Sequence, residues 1–210
     1  MNARFRVKID NSLMNENDRS FVDLTQQEYV VSASRAIAII GLFSALYIVS
    51  AGIVSSLFGE AVRGYPEHFL RGILMTVVVV RTGKKWSATT MGLVCGIVFG
   101  IVVPAPAPYI LVSTIVSGLV FDLALAGGKY ASVIRSLYRV VLGSAVSGVA
   151  ESVVALLILT AVGFFGSSFS VVSAAWSADI ILNVVLSSIG AIIAFRFLSR
   201  RQPVSISNFR

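Results

Sequence analysis

VVSAAWSADIILNVVLSSIGAIIAFRF, residues 171–197, holds one acid and one base in a run that is otherwise mostly apolar or small. A helix crosses the hydrocarbon core of a bilayer with about 20 such residues, so this stretch predicts a membrane-spanning helix. Five further stretches have the same character: residues 33–58, 69–80, 87–103, 109–126 and 137–165. The second is short. It reaches bilayer width only by taking in part of residues 65–68 or by leaning on its neighbours. Residues 77–80, VVVV, also fit a strand, but an open sheet edge in lipid leaves backbone groups unpaired. The composition agrees with helices in lipid. The chain has 210 residues, 56% hydrophobic and 13% charged, where a soluble domain carries roughly 25% charged residues. A chain this short cannot hide the difference in a soluble core. The fold class expected is an all-α integral membrane protein, a bundle of six transmembrane helices.

The basic residues set the orientation, because cytoplasmic loops carry the excess of Lys and Arg. One side collects Arg4, Arg6, Lys8, Arg19 and Arg35, then Arg81, Lys84 and Lys85, then Lys129, Arg135 and Arg139, and last Arg196, Arg200, Arg201 and Arg210. Of the 17 basic residues only Arg63 and Arg71 fall on the other. This alternation works for six spans and fails for five or seven, and it places both termini in the cytoplasm of a cell whose plasma membrane holds the chain. The expected organisation is a polar cytoplasmic segment over residues 1–30, a six-helix domain over 31–200 and a cytoplasmic tail over 201–210. The polar start, with RFRVKIDNSLMNENDRS at 4–20, predicts no cleavable leader. The net charge of +7 follows this topology rather than a nucleic-acid surface. Trp86 and Tyr130 fall at predicted interfaces, where amphipathic rings form belts.

Three connections lie on the outer side. Residues 59–68, GEAVRGYPEH, hold two carboxylates, an arginine and the chain's one histidine. Residues 104–108, PAPAP, predict a stiff extended turn. Residues 163–170, GFFGSSFS, are uncharged. No internal repeat or second domain is evident.

Ionisable residues inside a membrane are expensive, and their default reading is functional. Asp122, Glu151 and Asp179 fall within predicted spans. Asp122 lies near the cytoplasmic end, where water or the nearby Lys129 and Arg135 would satisfy it, so a structural role is expected. Trp176, Asp179 and Asn183 share a helix face by their spacing, as do Ser144, Ser147 and Glu151. Two such stripes on adjacent helices line one outward cavity, or they form a seam in which small and polar residues bond across the bundle. An aromatic plate beside a carboxylate suits a flat polar or cationic ligand. No phosphate-cradling GxxxxGK[ST] loop is present; AGGK at 126–129 lacks both the upstream glycine and the following Ser or Thr. HExxH and GxSxG are absent too. One histidine and one cysteine, Cys95, leave little material for catalysis or a metal site. The expectation is a non-enzyme with no cofactor and no metal.

The segments ASRAIAIIGLFSALYIV (33–49) and SGLVFDLAL (117–125), with the size and the six-helix layout, resemble the S components of energy-coupling-factor (ECF) transporters. These small membrane subunits capture vitamins for an ATP-driven module. The resemblance covers residues 33–200, and a weaker likeness in the first loop and second span points to the thiamine-related branch. It implies a transmembrane coupling subunit (the T component) and two ATPase subunits as partners, and a small water-soluble vitamin as ligand. It also implies a ligand site near the outer face, where Glu60, Tyr65, His68, Trp176 and Asp179 fall, with Asn183 and Glu151 below. The family's first helix often docks on the coupling subunit through AxxxA; here the nearest match is Gly41 and Ala45, preceded by Ala38. Packing within the same bundle is the other role open to those three. Two further functions compete with a capture subunit: a self-sufficient proton-coupled transporter using Glu151 or Asp179, and a purely structural membrane protein.

Overall fold

The structure is a computed structural model that describes residues 31–58, 64–102, 107–127, 130–164 and 169–200. The described residues form seven helices and no strand. They are α1 (Ala33–Phe58), α2 (Gly64–Thr82), α3 (Ser87–Val102), α4 (Ala107–Ala124), α5 (Tyr130–Val133), α6 (Leu137–Ala161) and α7 (Phe169–Arg200). Three of them are long and apolar enough to cross a membrane, over Ala33–Ile53, Leu137–Ala161 and Ser170–Ser199. Two shorter apolar helices lie at Ser87–Val102 and Tyr109–Ala124. The helix α2 takes in residues 65–68, so it is longer than the apolar stretch 69–80 from which it was expected. Its first turn carries Glu67 and its last turn Arg81, each matched to the helix dipole at its end. It stops at Gly83, whose left-handed backbone (φ 61) lets its N–H reach the Val79 carbonyl at 3.0 Å, a closure glycine adopts at little steric cost.

Six helices close into a ring in the order α1, α2, α7, α6, α4, α3, and α2 also leans inward onto α3 and α6. Polarity is inverted relative to a water-soluble protein. Ile37, Leu57 and Ile101 are 70%, 72% and 79% exposed, while Arg71, Asp122, Glu151 and Asn183 are buried. Such a surface is the one expected when the solvent is lipid, where ionisable groups turn to the bundle interior.

Glycines set how closely the helices approach. A Cβ on Gly72 would lie 2.2 Å from the Ser187 carbonyl oxygen, and one on Gly190 2.4 Å from that of Phe69. The α2 and α7 backbones therefore touch, as small residues permit in membrane helices. On α6, Gly148 makes room for side chains of α7, since a Cβ there would lie 2.9 Å from Asn183 Oδ1 and 3.1 Å from Ser187 Oγ. Ser144 Oγ donates to the Ser187 carbonyl at 3.0 Å, so this serine belongs to the α6–α7 seam.

Asp122 is structural, through partners other than the bases expected for it. Its carboxylate accepts from the Thr89 N–H at 2.7 Å and the Thr89 hydroxyl at 2.8 Å. It thus caps the start of α3 from α4, because the first turn of a helix leaves N–H groups unpaired. Tyr130 is a correction. It is buried, not a belt residue, and its hydroxyl lies 3.5 Å from Asp122. Burial and then the Asp122 charge push its phenol above the usual range. Trp86 is half exposed.

Candidate ligand site inside the helix ring

One turn of α2 carries Glu67, His68 and Arg71, the last two three residues apart and therefore on one helix face. α6 brings Glu151 and Ser152 to the same level, and α7 brings Asp179 and, one turn on, Asn183. Arg71 is 1% exposed and forms an ion pair with Glu151 and a hydrogen bond to Asn183 Oδ1. Asn183 Nδ2 donates to Glu151 Oε2 at 3.2 Å and to Ser152 Oγ at 2.9 Å. Glu151 is thereby held from two helices. His68 lies between two carboxylates, with Nδ1 3.8 Å from Glu151 Oε2 and Nε2 3.5 Å from Asp179 Oδ1.

Beside this network lies a cavity of about 200 Å³. All six long helices line it. Tyr47 comes from α1, Glu67 and His68 from α2, Phe99 from α3, Tyr109 and Thr114 from α4, Glu151 and Ser152 from α6, and Asp179 from α7. These residues fall in the first half of α2, α4 and α7 and in the second half of α1, α3 and α6, so they share one half of the ring. Tyr47 and Phe99 meet edge to face with centroids 5.7 Å apart, a favoured aromatic geometry. Three carboxylates and one imidazole stand in the wall, and Arg71 sits behind Glu151. The side chain of Asp179 is 30% exposed against 12% for Glu151, so Asp179 is the more accessible of the two. A water molecule occupies about 30 Å³ of liquid, so the cavity has room for roughly seven waters or one small organic molecule. Among the described residues no group of three or more His, Cys, Asp or Glu is placed to hold a metal ion.

The structure joins His68, Glu151 and Asp179 around one cavity, with Asn183 bracing Glu151. Trp176 and Tyr65 do not line it; the Trp176 indole N–H donates to Thr160 Oγ1 at 3.3 Å instead. Glu60 lies outside the described residues. Ala38, Gly41 and Ala45 are exposed, and a Cβ on Gly41 would meet nothing within 4 Å. Packing within the bundle is therefore not their role. The residue that sequence reasoning missed is Arg71. It had been counted with the outer-side charges, although its place between Leu70 and Gly72 in an apolar helix marks it as an intramembrane ion in need of a partner. Tyr47, Phe99 and Tyr109 carried no signal, since aromatic residues in apolar runs are ordinary.

Comparison with known protein families, with curated proteins and with solved structures returns no match.

Proposed function

We propose that the chain spans the plasma membrane six times with both termini in the cytoplasm, and that it captures a small cationic, water-soluble solute as the substrate-binding subunit of an ECF-type uptake transporter. The observation that carries this reading is the cavity walled by three carboxylates and several aromatic rings. A carboxylate in a low-dielectric setting pairs strongly with a cation, and aromatic faces add cation–π attraction. Typical small-molecule sites are mostly apolar with a few convergent polar groups. The half of the ring that holds the cavity is also the half that the distribution of basic residues assigns to the outside. The solute is a vitamin or vitamin precursor, with thiamine-like compounds in the class. It passes to a T component and two ATPase subunits, and the exposed Ala38, Gly41 and Ala45 stripe is where a helix of the T component docks.

The test is calorimetry on the isolated chain in detergent, together with affinity purification from its native membrane. Binding of an organic cation by the chain alone, with a coupling subunit and two ATPases copurifying, supports the capture reading. Uptake into proteoliposomes holding only this chain, driven by a pH gradient without ATP, overturns it in favour of a proton-coupled carrier. One observation favours that second reading, the imidazole of His68 set between two acids. Since Arg71 and Asn183 hold Glu151, Asp179 is the better proton carrier of the two.

A further inference from the structure

His68 presents its two ring nitrogens to two different carboxylates, Glu151 from α6 and Asp179 from α7. A neutral imidazole has one N–H donor and one acceptor, whereas the imidazolium donates at both nitrogens. At 3.8 and 3.5 Å neither contact is a hydrogen bond, but a carboxylate stands within ion-pair reach of each nitrogen, so a proton taken up by the ring meets negative charge on both sides. Loss of that proton affects the two acids unequally. Glu151 keeps its ion pair with Arg71 and its hydrogen bond from Asn183, while Asp179 loses the nearest positive charge in the cavity wall.

We propose that His68 and a cationic ligand exclude each other: the imidazolium occupies the electrostatic position beside Asp179 that the ligand's charge takes, so that capture of each cation releases up to one proton. The inference rests on the reading of the cavity as a cation site. The exchange conserves charge, with a protonated site and a cation in water becoming a cation-filled site and a proton in water. The groups that face His68 are few. Glu67 and Arg71 stand on its own helix, Glu151 on α6 and Asp179 on α7, while Tyr47 from α1 and Tyr109 from α4 line the same cavity. From α3 the one titratable side chain is Cys95, and its thiol is directed to the Ser44 carbonyl at 3.8 Å. Carboxylic acids ordinarily titrate near pH 4 and imidazole near about pH 6.5, so the imidazole is the group suited to exchange between pH 5 and 8.

The experiment uses the full chain in detergent with thiamine and choline as probe cations. Calorimetry is run from pH 5 to 8 in two buffers of different ionisation heat, which counts the protons released. His68 is the chain's only histidine, so its ring gives a single nuclear magnetic resonance signal after histidine labelling. The expected result is affinity that rises with pH, by up to about tenfold per unit below the His68 midpoint. Proton release should approach one on the acid side, and saturating cation should lower the His68 midpoint. His68→Gln should flatten the pH dependence. If a probe binds with the same affinity throughout and releases no proton, or if His68→Gln keeps the slope, the exchange is refuted while cation capture stands. If neither probe binds at any pH and the His68 signal does not respond, the cation site itself is refuted. Should His68→Gln fail to fold, the midpoint shift in the unmodified chain decides alone.

Discussion

Replacing Arg71 by Met tests whether the buried ion pair organises the interior. Arg71 is 1% exposed, and its partners Glu151 and Asn183 come from two other helices. Removing one member of a buried pair leaves an uncompensated charge and costs about 3–5 kcal/mol. A chain of this size shifts its melting temperature by about 2–4 °C per kcal/mol, so the single variant should melt roughly 6–20 °C lower. Glu151→Leu alone should cost a similar amount, because it strands the guanidinium. The double variant Arg71→Met/Glu151→Leu removes both charges and keeps similar volume, and such replacements are often neutral or stabilising. The cycle therefore predicts a coupling of several kcal/mol with the double variant close to the parent. Thermal unfolding in one detergent, followed by circular dichroism and by calorimetry, measures all four proteins. Additive losses, or an Arg71→Met variant within about 1 kcal/mol of the parent, would show that the pair is not buried as described and would remove the reason for treating Glu151 as a held group.

Three more outcomes follow from the geometry. Asp179→Asn keeps the shape of the cavity and removes a charge, so cation affinity should fall at least about tenfold, or ~1.4 kcal/mol; Trp176→Ala should change it by less than about threefold, because the indole lies off the cavity on Thr160, and calorimetry separates the two. Gly72→Ala should destabilise by about 1–3 kcal/mol, since its Cβ would meet the Ser187 carbonyl at 2.2 Å, whereas Gly41→Ala has open space and should gain up to about 1 kcal/mol of helix propensity; equal effects in thermal melts would contradict the described α2–α7 contact. Cysteines placed at Val162 and Lys84 in a Cys95→Ser background should react with an impermeant maleimide from the outside and from the cytoplasm respectively, and the reverse pattern would invert the proposed orientation.

Helix positions were legible because the signal is local. The expected stretch 33–58 matches α1 at both ends, and 87–103 matches α3 to within one residue. Length and low charge suffice for this, as every backbone group in lipid must bond within its own helix. The short α5 gave no apolar run to detect. Spacing within α6 and α7 singled out Glu151, Asp179 and Asn183, and these do converge. Spacing failed for Trp176, because a shared face says nothing of which neighbour takes the indole, and Thr160 on α6 takes it. Position along the chain failed for Tyr130 and Arg71 for a related reason. A tyrosine at a span end reads as a belt residue and an arginine near one as an outer-side charge, and only a partner brought from elsewhere in the chain permits burial. Asp122 supplies that partner for Tyr130, and Glu151 with Asn183 supplies it for Arg71.

The close helix contacts and the buried charges depend on each other. Gly72 adjoins Arg71 in sequence, Gly148 lies one turn before Glu151, and Ser187 lies one turn after Asn183. The approach of the α2 and α7 backbones at Gly72 and that of the Asn183 and Ser187 side chains to Gly148 thus bracket the polar network within about one turn. With larger residues there the helices would separate, and short side chains such as Asn183 and Ser152 would no longer bridge them. The charges in turn oppose sliding of these helices, since a shift of one residue along α2 would move Arg71 by about 1.5 Å and away from both partners. The floor of the cavity is therefore fixed, with Glu151 neutralised in place. The charge left to vary is that of Asp179, which is the more exposed carboxylate and has His68 as its nearest cationic partner. A binding site needs such a division: groups held rigid so that geometry is set before the ligand arrives, and one group whose counter-charge can be exchanged for the ligand's own.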